Sequence, residues 1–347
     1  MQPVLHDPLD SDLTLVLIGV RIGLEHGWSH VYSLALQHEL FTQLRPGAVF
    51  NDGQRYLSPP PLAWITLPLS VLGAAGSFYA WSALSLIALV AAWWLAAPGA
   101  GWMRAMWLLA ALAWYPVLYG LSLGQPILLV LVAAAGCWKL ADAGKPYLAG
   151  VVLAASTVKP QLTLIVPAVL LVAGRWRIVA GWAAATAVLA AASLAMMGAE
   201  GISDYRSLLA EAQGVVNNRF FTLAFFTGSG PLTSLAQGAV IAAGLVAAYL
   251  NRHASAARLI ALGLVTTALS ASYWHLQDFT ILVAAIWLFW RDTPPTWQRL
   301  WLLAVAVTLE LAWPLSPGPA LVAIAAWWVM LCVPAAAFKV RPMAAAA

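Results

Sequence analysis

The feature that most constrains this chain is a succession of apolar runs that begins at Pro59 and continues to the C-terminus. Short polar connections separate the runs, and twelve runs can be recognised. Of all residues, 63% are hydrophobic and only 9% are charged, whereas an ordinary soluble protein is about 25% charged. An excess of this size means that lipid is the solvent around most of the chain. The sequence therefore predicts an all-α polytopic membrane protein, because helices satisfy their own backbone polar groups in lipid.

The positions of the basic residues predict how the runs are oriented. Every second connection carries Lys or Arg, and these connections together hold 11 of the 17 basic residues. The positive-inside rule places them in the cytoplasm. The other connections then lie outside, and they contain Gln125, Lys159, the segment 198–230 and His275. Because the basic residues are scattered rather than clustered, they indicate topology and not nucleic-acid binding.

Residues 1–58 differ from the rest of the chain, since they contain six of the 13 acidic residues and four of the six histidines. Their one apolar run, Leu13 to Leu24, would form a helix of about 18 Å, which is too short for a hydrocarbon core of about 30 Å. Acidic residues precede this run, whereas a secretory signal begins with positive charge. We therefore predict an external segment, 1–58, that contains an interfacial helix with Ser11 or Asp12 as its N-cap.

The region 59–347 is predicted to form a bundle of transmembrane helices with an external loop at 198–230. Twelve complete spans would place both ends of this region on the same side of the membrane, which conflicts with an external N-terminal segment. The stretch from Pro59 to Ala74 contains four prolines, and a helix there needs protein or water to satisfy its carbonyl groups. We therefore expect this stretch to line a cavity, and the bundle to have about eleven spans around an outward-facing cavity.

Four ionisable residues lie at membrane depth, where a charge is costly and by default suggests function. They are Lys159, His275, Asp278 and Glu310. Structural roles are open as well. Lys159 can extend to the interface, and His275 and Asp278 can satisfy each other, since they lie three residues apart. An interfacial structural role is favoured for Glu310.

Metal binding is not predicted. The histidines of residues 1–58 do not follow a known ligand pattern. The two cysteines, Cys137 and Cys332, lie far apart within apolar runs. They therefore support neither a disulfide framework nor a metal site.

Motifs that follow one another along most of the chain carry a resemblance to a known family. They are Asp12-Leu13-Thr14-Leu15-Val16 with Arg21, Gly27 and Tyr32; Arg55-Tyr56-Leu57-Ser58-Pro59-Pro60; Leu123-Gly124-Gln125; Val158-Lys159-Pro160 with Gly174-Arg175-Trp176-Arg177; and Ser272-Tyr273-Trp274-His275 with Asp278. Their order and spacing resemble glycosyltransferase family 87, the polyprenol-phosphate-mannose-dependent mannosyltransferases of the C-type membrane fold. Two positions depart from the family pattern: Leu15-Val16 stands in place of Val-Tyr, and Ser272-Tyr273 lacks a proline.

The resemblance implies a role for each motif residue. Asp12 matches the family's catalytic base, and Asp52 is the alternative because it also lies in the external segment. The expected contacts of the donor phosphate are Lys159, His275 and Arg21, and the other expected cavity residues are Gln125, Tyr56 and Asp278. Arg21 lies about two and a half helical turns after Asp12, on the opposite face of the helix. The family pattern also has a transmembrane helix before its catalytic Asp, so this chain is expected to start late.

The implied reaction transfers a hexose from a polyprenyl-phosphate sugar to a lipid-linked or glycan acceptor, and mannose is the hexose that the resemblance favours. The implied location is the plasma membrane, with the active site on its outer face and membrane lipid as a partner. No cofactor is expected besides the donor substrate. Two other functions fit the sequence: a proton-coupled carrier, in which the four membrane-depth residues would form a relay, and a family member that binds lipid or partners without catalysis.

Overall fold

The computed structural model describes residues 7–51 and 54–334, and this part of the chain contains no β-strand. The structure is 78% helical, which confirms the predicted all-α class. The sixteen α-helices of the described residues are α1 Asp12–Glu25, α2 Leu34–Leu44, α3 Pro60–Thr66, α4 Gly73–Ala96, α5 Gly101–Ala113, α6 Tyr115–Ser122, α7 Ile127–Asp142, α8 Pro146–Ala154, α9 Val166–Val172, α10 Trp176–Gly214, α11 Ala224–Thr227, α12 Pro231–Leu250, α13 Ala256–Ser270, α14 Leu282–Arg291, α15 Thr296–Glu310 and α16 Pro317–Cys332.

Three helical stretches of the described residues are long and apolar enough to cross a membrane. They are Pro60–Ala96, Trp176–Ala212 and Pro231–Leu250. A fourth results if α5 and α6, which meet at an angle of 57°, are counted as one broken span. Further apolar helices are shorter than a span, because breaks divide them. These helices support a membrane protein, and the count of about eleven spans stays a prediction.

Helix α1 begins at Asp12, as predicted, but it is not a helix with one face in water. Ten of its 14 residues are buried. It packs against α2 and α3, and Tyr56 approaches so closely that a Cβ on Gly19 would lie 2.8 Å from its ring. The chain from α2 to α3 therefore folds around α1 and makes it part of the protein core.

The centre of the bundle is formed by α7 and α13. Thirteen of the 15 residues of α13 are buried, and α7 packs against α4 and α8. Helices α8 and α10 cross at very short range, since a Cβ on Gly150 would lie 1.9 Å from the Ile178 carbonyl oxygen. Small residues allow such close crossing in membrane bundles.

Basic residues of the connections predicted to be cytoplasmic bind the carbonyl ends of helices. Arg291 donates from Nε to the Ala96 carbonyl oxygen at 2.7 Å. Arg258 is ion-paired with Asp292 at 2.9 Å and donates to the Val333 carbonyl oxygen at 2.6 Å. Cations are favourable at helix C-termini, where carbonyl groups lack partners. These residues therefore tie helix ends together in addition to any effect on topology.

About two thirds of the predicted loop 198–230 is α-helical. Helix α10 bends at Gly198, which has a φ of 62°, and continues to Gly214. Its second half, residues 199–214, lies against the N-terminal segment: the rings of Tyr205 and Tyr32 are 4.5 Å apart, and Arg55 is ion-paired with Glu211. The loop prediction missed this helix because its polar residues resemble those of a connection.

Candidate active site

Four polar side chains from different parts of the chain meet in one hydrogen-bonded chain. Gln125 donates from Nε2 to Asp12. Lys159 donates from Nζ to Gln125 Oε1 at 2.7 Å and to Asp278 Oδ1 at 2.5 Å. We call Asp12, Gln125, Lys159 and Asp278 the polar network. All four were candidates from the sequence, and the structure brings them together.

A glycine turn places Asp12 beside Gln125. The Asp12 N–H donates to the Leu123 carbonyl oxygen at 2.9 Å, so the start of α1 rests on this turn. Gly124 has a φ of +66°, and a Cβ there would lie 2.8 Å from Leu13 Cβ. Only glycine combines this backbone conformation with so close an approach. The Gly-Gln pair therefore matters for geometry as well as for the amide side chain.

Lys159 lies in the break between α8 and α9. Its φ of −148° and ψ of 74° are not helical, as expected for a residue that precedes proline. Ser156 and Thr163 close the break with a hydroxyl–hydroxyl hydrogen bond of 2.7 Å. The Lys159 side chain is only 9% exposed. It therefore points into the polar network and does not extend to water.

Asp278 is completely buried and serves two donors. Besides Lys159, its Oδ2 accepts from the His275 N–H at 3.0 Å. It lies in the 3₁₀ turn Leu276–Ile281, whose first residues it caps. The His275 ring does not bind the Asp278 carboxylate but lies 3.0 Å, by its Nε2, from Asn218 Oδ1. Asn218 was not a candidate from the sequence, because it lies 57 residues away in a loop.

The network holds two carboxyl groups and one ammonium group. Burial raises the pKa of the Asp12 carboxyl, and the hydrogen bond from Gln125 and the charge of Lys159 oppose this shift. Burial also lowers the pKa of the His275 imidazole, which keeps its ring neutral near pH 7. A carboxylate with a raised pKa is a better proton acceptor than an ordinary one. The arrangement can therefore take up a proton at Asp12 beside a fixed positive charge.

Other sequence candidates lie apart from this network. Arg21 pairs with Glu25 at 2.8 Å, and both side chains are about half exposed, at 40% and 47%. Tyr56 is only 1% exposed, and its OH donates to the Pro59 carbonyl oxygen at 3.1 Å. Asp52 lies outside the described residues.

Glu310 also lies apart. It accepts from the Tyr115 N–H at 2.8 Å, at the start of α6, where a negative charge is favourable. This is the structural role favoured for it. The four-residue relay of a carrier therefore lacks its fourth member in this arrangement.

Two surface cavities lie on other parts of the described chain. One, of about 430 Å³, is lined by residues that include His38, Phe50 and Arg55. The other, of about 460 Å³, is lined by residues 199–210 of α10, among them Arg206. The residues that line them do not belong to the polar network, and the outward-facing cavity stays a prediction.

The fold and the network define a helical membrane protein with a charged site at its helix breaks and helix ends. The sequence model of glycosyltransferase family 87 matches residues 56–317, which are 262 of the 347 residues. The chain belongs to this family and is therefore a membrane glycosyltransferase. The matched region contains Gln125, Lys159 and Asp278, but it begins after Asp12. Neither a curated protein nor a solved structure matches the chain significantly.

Proposed function

We propose that this glycosyltransferase transfers mannose from a polyprenyl-phosphate donor to a hydroxyl group of a lipid-linked or glycan acceptor. The reaction takes place on the outer face of the plasma membrane, in a cavity of a bundle of about eleven spans. The observation that carries the proposal is the polar network, in which Gln125 joins the carboxyl of Asp12 to the ammonium of Lys159. A proton acceptor and a fixed cation, held near each other through one amide, are the two groups that glycosyl transfer from a phosphate requires.

The chemistry follows from the two ends of the network. The acceptor oxygen attacks C1 of the sugar while the bond between C1 and the phosphate oxygen breaks. Asp12 takes the proton of the attacking hydroxyl, which is worth about 10²–10⁴-fold in rate. The departing lipid phosphate gains negative charge, and Lys159 stabilises it. All atoms balance, because the products are the new glycoside, the polyprenyl phosphate and a proton on Asp12.

A lipid-linked donor suits the position of the network. Lys159 lies in the break that separates the apolar helices α8 and α9, and its side chain is 9% exposed. A donor with a long apolar tail can bring its phosphate to such a place from within the bilayer, whereas a free soluble phosphate would have to leave water. The outer face is supported by the positive-inside rule, since the connections with Gln125, Lys159 and His275 are those that alternate with the basic ones.

The test is transfer from a synthetic polyprenyl-phosphate [¹⁴C]mannose in proteoliposomes supplied with the glycolipid fraction of the host membrane. Asp12→Asn keeps an oxygen for the Gln125 amide but cannot accept a proton, so we expect loss of about 10²-fold or more. Asp10→Asn is the matched control, because Asp10 is half exposed and bound to Arg45. We also expect Asp52→Asn to retain most activity.

Three outcomes are informative. An active Asp12→Asn with an inactive Asp52→Asn would move the base to Asp52 and leave the reaction class in place. If both variants are active, catalysis by either acid is excluded. If the wild-type protein transfers no sugar from the lipid phosphate donor, the proposed donor class is wrong.

A further inference from the structure

Asn218 connects the C-terminal end of α10 to Trp274 and His275, which lie just before Asp278 of the polar network in the sequence. It lies in the 3₁₀ turn Val216–Arg219 and uses its backbone and side chain together. Its Nδ2 donates to the Ala212 carbonyl oxygen at 2.8 Å, and its own carbonyl oxygen accepts from the Trp274 N–H at 3.0 Å. Its Oδ1 lies 3.0 Å from His275 Nε2. Asn218 therefore has partners on both sides of the loop.

These partners determine which nitrogen of His275 carries the proton. The Ala212 carbonyl can only accept a hydrogen bond, so the amide nitrogen of Asn218 must face it, and the amide oxygen faces His275. An amide oxygen also only accepts, so His275 Nε2 must donate. In a neutral imidazole, the other nitrogen, Nδ1, is then without a proton.

We propose that Asn218 is a positioning residue of the active site, which holds His275 as the Nε2–H tautomer and leaves Nδ1 as a hydrogen-bond acceptor. The proposal deepens the proposed function and rests on it for its catalytic consequence. Since Nε2–H is committed to Asn218, a neutral His275 has no proton to offer a donor phosphate. His275 Nδ1 instead faces the Asp278 backbone N–H in a capping box at the start of the 3₁₀ turn, so His275 holds this turn in position and Lys159 is left as the phosphate contact.

The surroundings of His275 favour this neutral form. Burial of the ring lowers the pKa of the imidazole most strongly, and the charge of Lys159 acts in the same direction, whereas the carboxyl groups of Asp278 and Asp12 oppose this shift. The ring of Tyr273 packs edge-on against it, with the centroids 4.8 Å apart. A carboxylate in place of the Asn218 amide would add a further negative charge at hydrogen-bond distance, which would favour the imidazolium form.

The test reads the tautomer directly and does not require turnover. Protein labelled with ¹⁵N-histidine in detergent micelles is examined by two-bond ¹⁵N–¹H correlation, and His275→Gln assigns the His275 signals. We expect the Nε2–H pattern in the wild type at pH 7.5 and a mixture of tautomers in Asn218→Leu. In Asn218→Asp, the pH of imidazole protonation should rise by about 1 unit or more, and the pH profile of sugar transfer should move in the same direction.

Thr222→Val is the matched control in the same loop. Thr222 Oγ1 donates to the Arg219 carbonyl oxygen at 2.8 Å, so this variant disturbs the loop without touching His275. An Nδ1–H pattern in the wild type would overturn the proposal, even if Asn218→Leu does not fold. Equal changes of the His275 signals in Thr222→Val and Asn218→Leu would show that Asn218 only stabilises the loop and does not select the tautomer. An Nε2–H tautomer in a protein that transfers no sugar would instead refute the proposed function and leave the positioning role in place.

Discussion

Removal of the Lys159 ammonium group should destabilise the protein far more than removal of an exposed ion-pair partner. Lys159 Nζ lies 2.5 Å from Asp278 Oδ1, and the two side chains are 9% and 0% exposed. At an effective dielectric constant of about 20, two unit charges at that distance attract each other by about 7 kcal/mol. Desolvation costs several kcal/mol per ion and offsets much of this attraction. Lys159→Met, however, leaves a buried carboxylate without its counter-charge, which costs about 3–5 kcal/mol.

A variant of the partner, Asp278→Asn, distinguishes the energy of the ion pair from the energy of packing of each side chain. Asp278→Asn removes the charge and keeps an oxygen for the His275 N–H, which now lies 3.0 Å from Asp278 Oδ2. Lys159 would retain Gln125 Oε1 at 2.7 Å. We therefore expect a smaller loss than for Lys159→Met. The double variant should cost no more than Lys159→Met alone, because the uncompensated carboxylate is then absent.

Equilibrium unfolding of the four proteins in one detergent gives the free energies of this double-mutant cycle. Arg21→Met is the control, since the Arg21–Glu25 pair is 40% and 47% exposed and such pairs contribute about 0.2–1 kcal/mol. Strictly additive losses in the double variant would refute the coupling. A loss for Lys159→Met as small as that for Arg21→Met would show that the ammonium is not buried against Asp278.

Two further predictions concern the start of α1. Gly124→Ala should lower the thermal midpoint more than Gly144→Ala. Both glycines have a positive φ, of +66° and +71°, but only at Gly124 would the new Cβ lie against a neighbour, 2.8 Å from Leu13. Equal midpoints would contradict the close docking of α1. Asp12→Asn should raise the thermal midpoint at alkaline pH, since a carboxyl with a raised pKa takes up a proton on folding and its stabilising contribution is lost as the pH rises through that pKa. Melting curves taken upward from about pH 4, near the ordinary carboxyl pKa, should show an advantage of the variant that grows until the pH has passed the raised pKa of Asp12, and a difference independent of pH would count against the burial of an ionisable Asp12.

The candidate site shows how far local sequence arguments reach. Lys159 and Asp278 could be singled out because a charge within an apolar run is costly wherever the run packs. Gln125 followed only from the resemblance of its Gly-Gln pair to a family motif, and Asp12 from its place before an apolar run as well as from that resemblance. Apart from the resemblance, each of these arguments concerns a residue and its immediate neighbours.

The same arguments could not decide which candidates meet. Asp12 and Gln125 are 113 residues apart, and Lys159 and Asp278 are 119 residues apart, so their contacts depend on how separate helices dock. Arg21 shares α1 with Asp12 but pairs with Glu25 at the half-exposed C-terminal end of that helix. The orientation of the His275 ring depends on a loop residue, Asn218, that has no distinctive sequence signal.

By itself, the sequence determined the helical membrane class, the separate character of the first 58 residues and the set of unusual charges, because hydrophobicity and helix breaking are properties of short stretches. Only the tertiary structure decided that α1 is a core helix and that about two thirds of the 198–230 segment is α-helical. It also decided that four distant polar residues form one network. The physical reason is that a buried charge requires a partner but does not specify it, and the partner is chosen by the packing of helices that the sequence pattern leaves open.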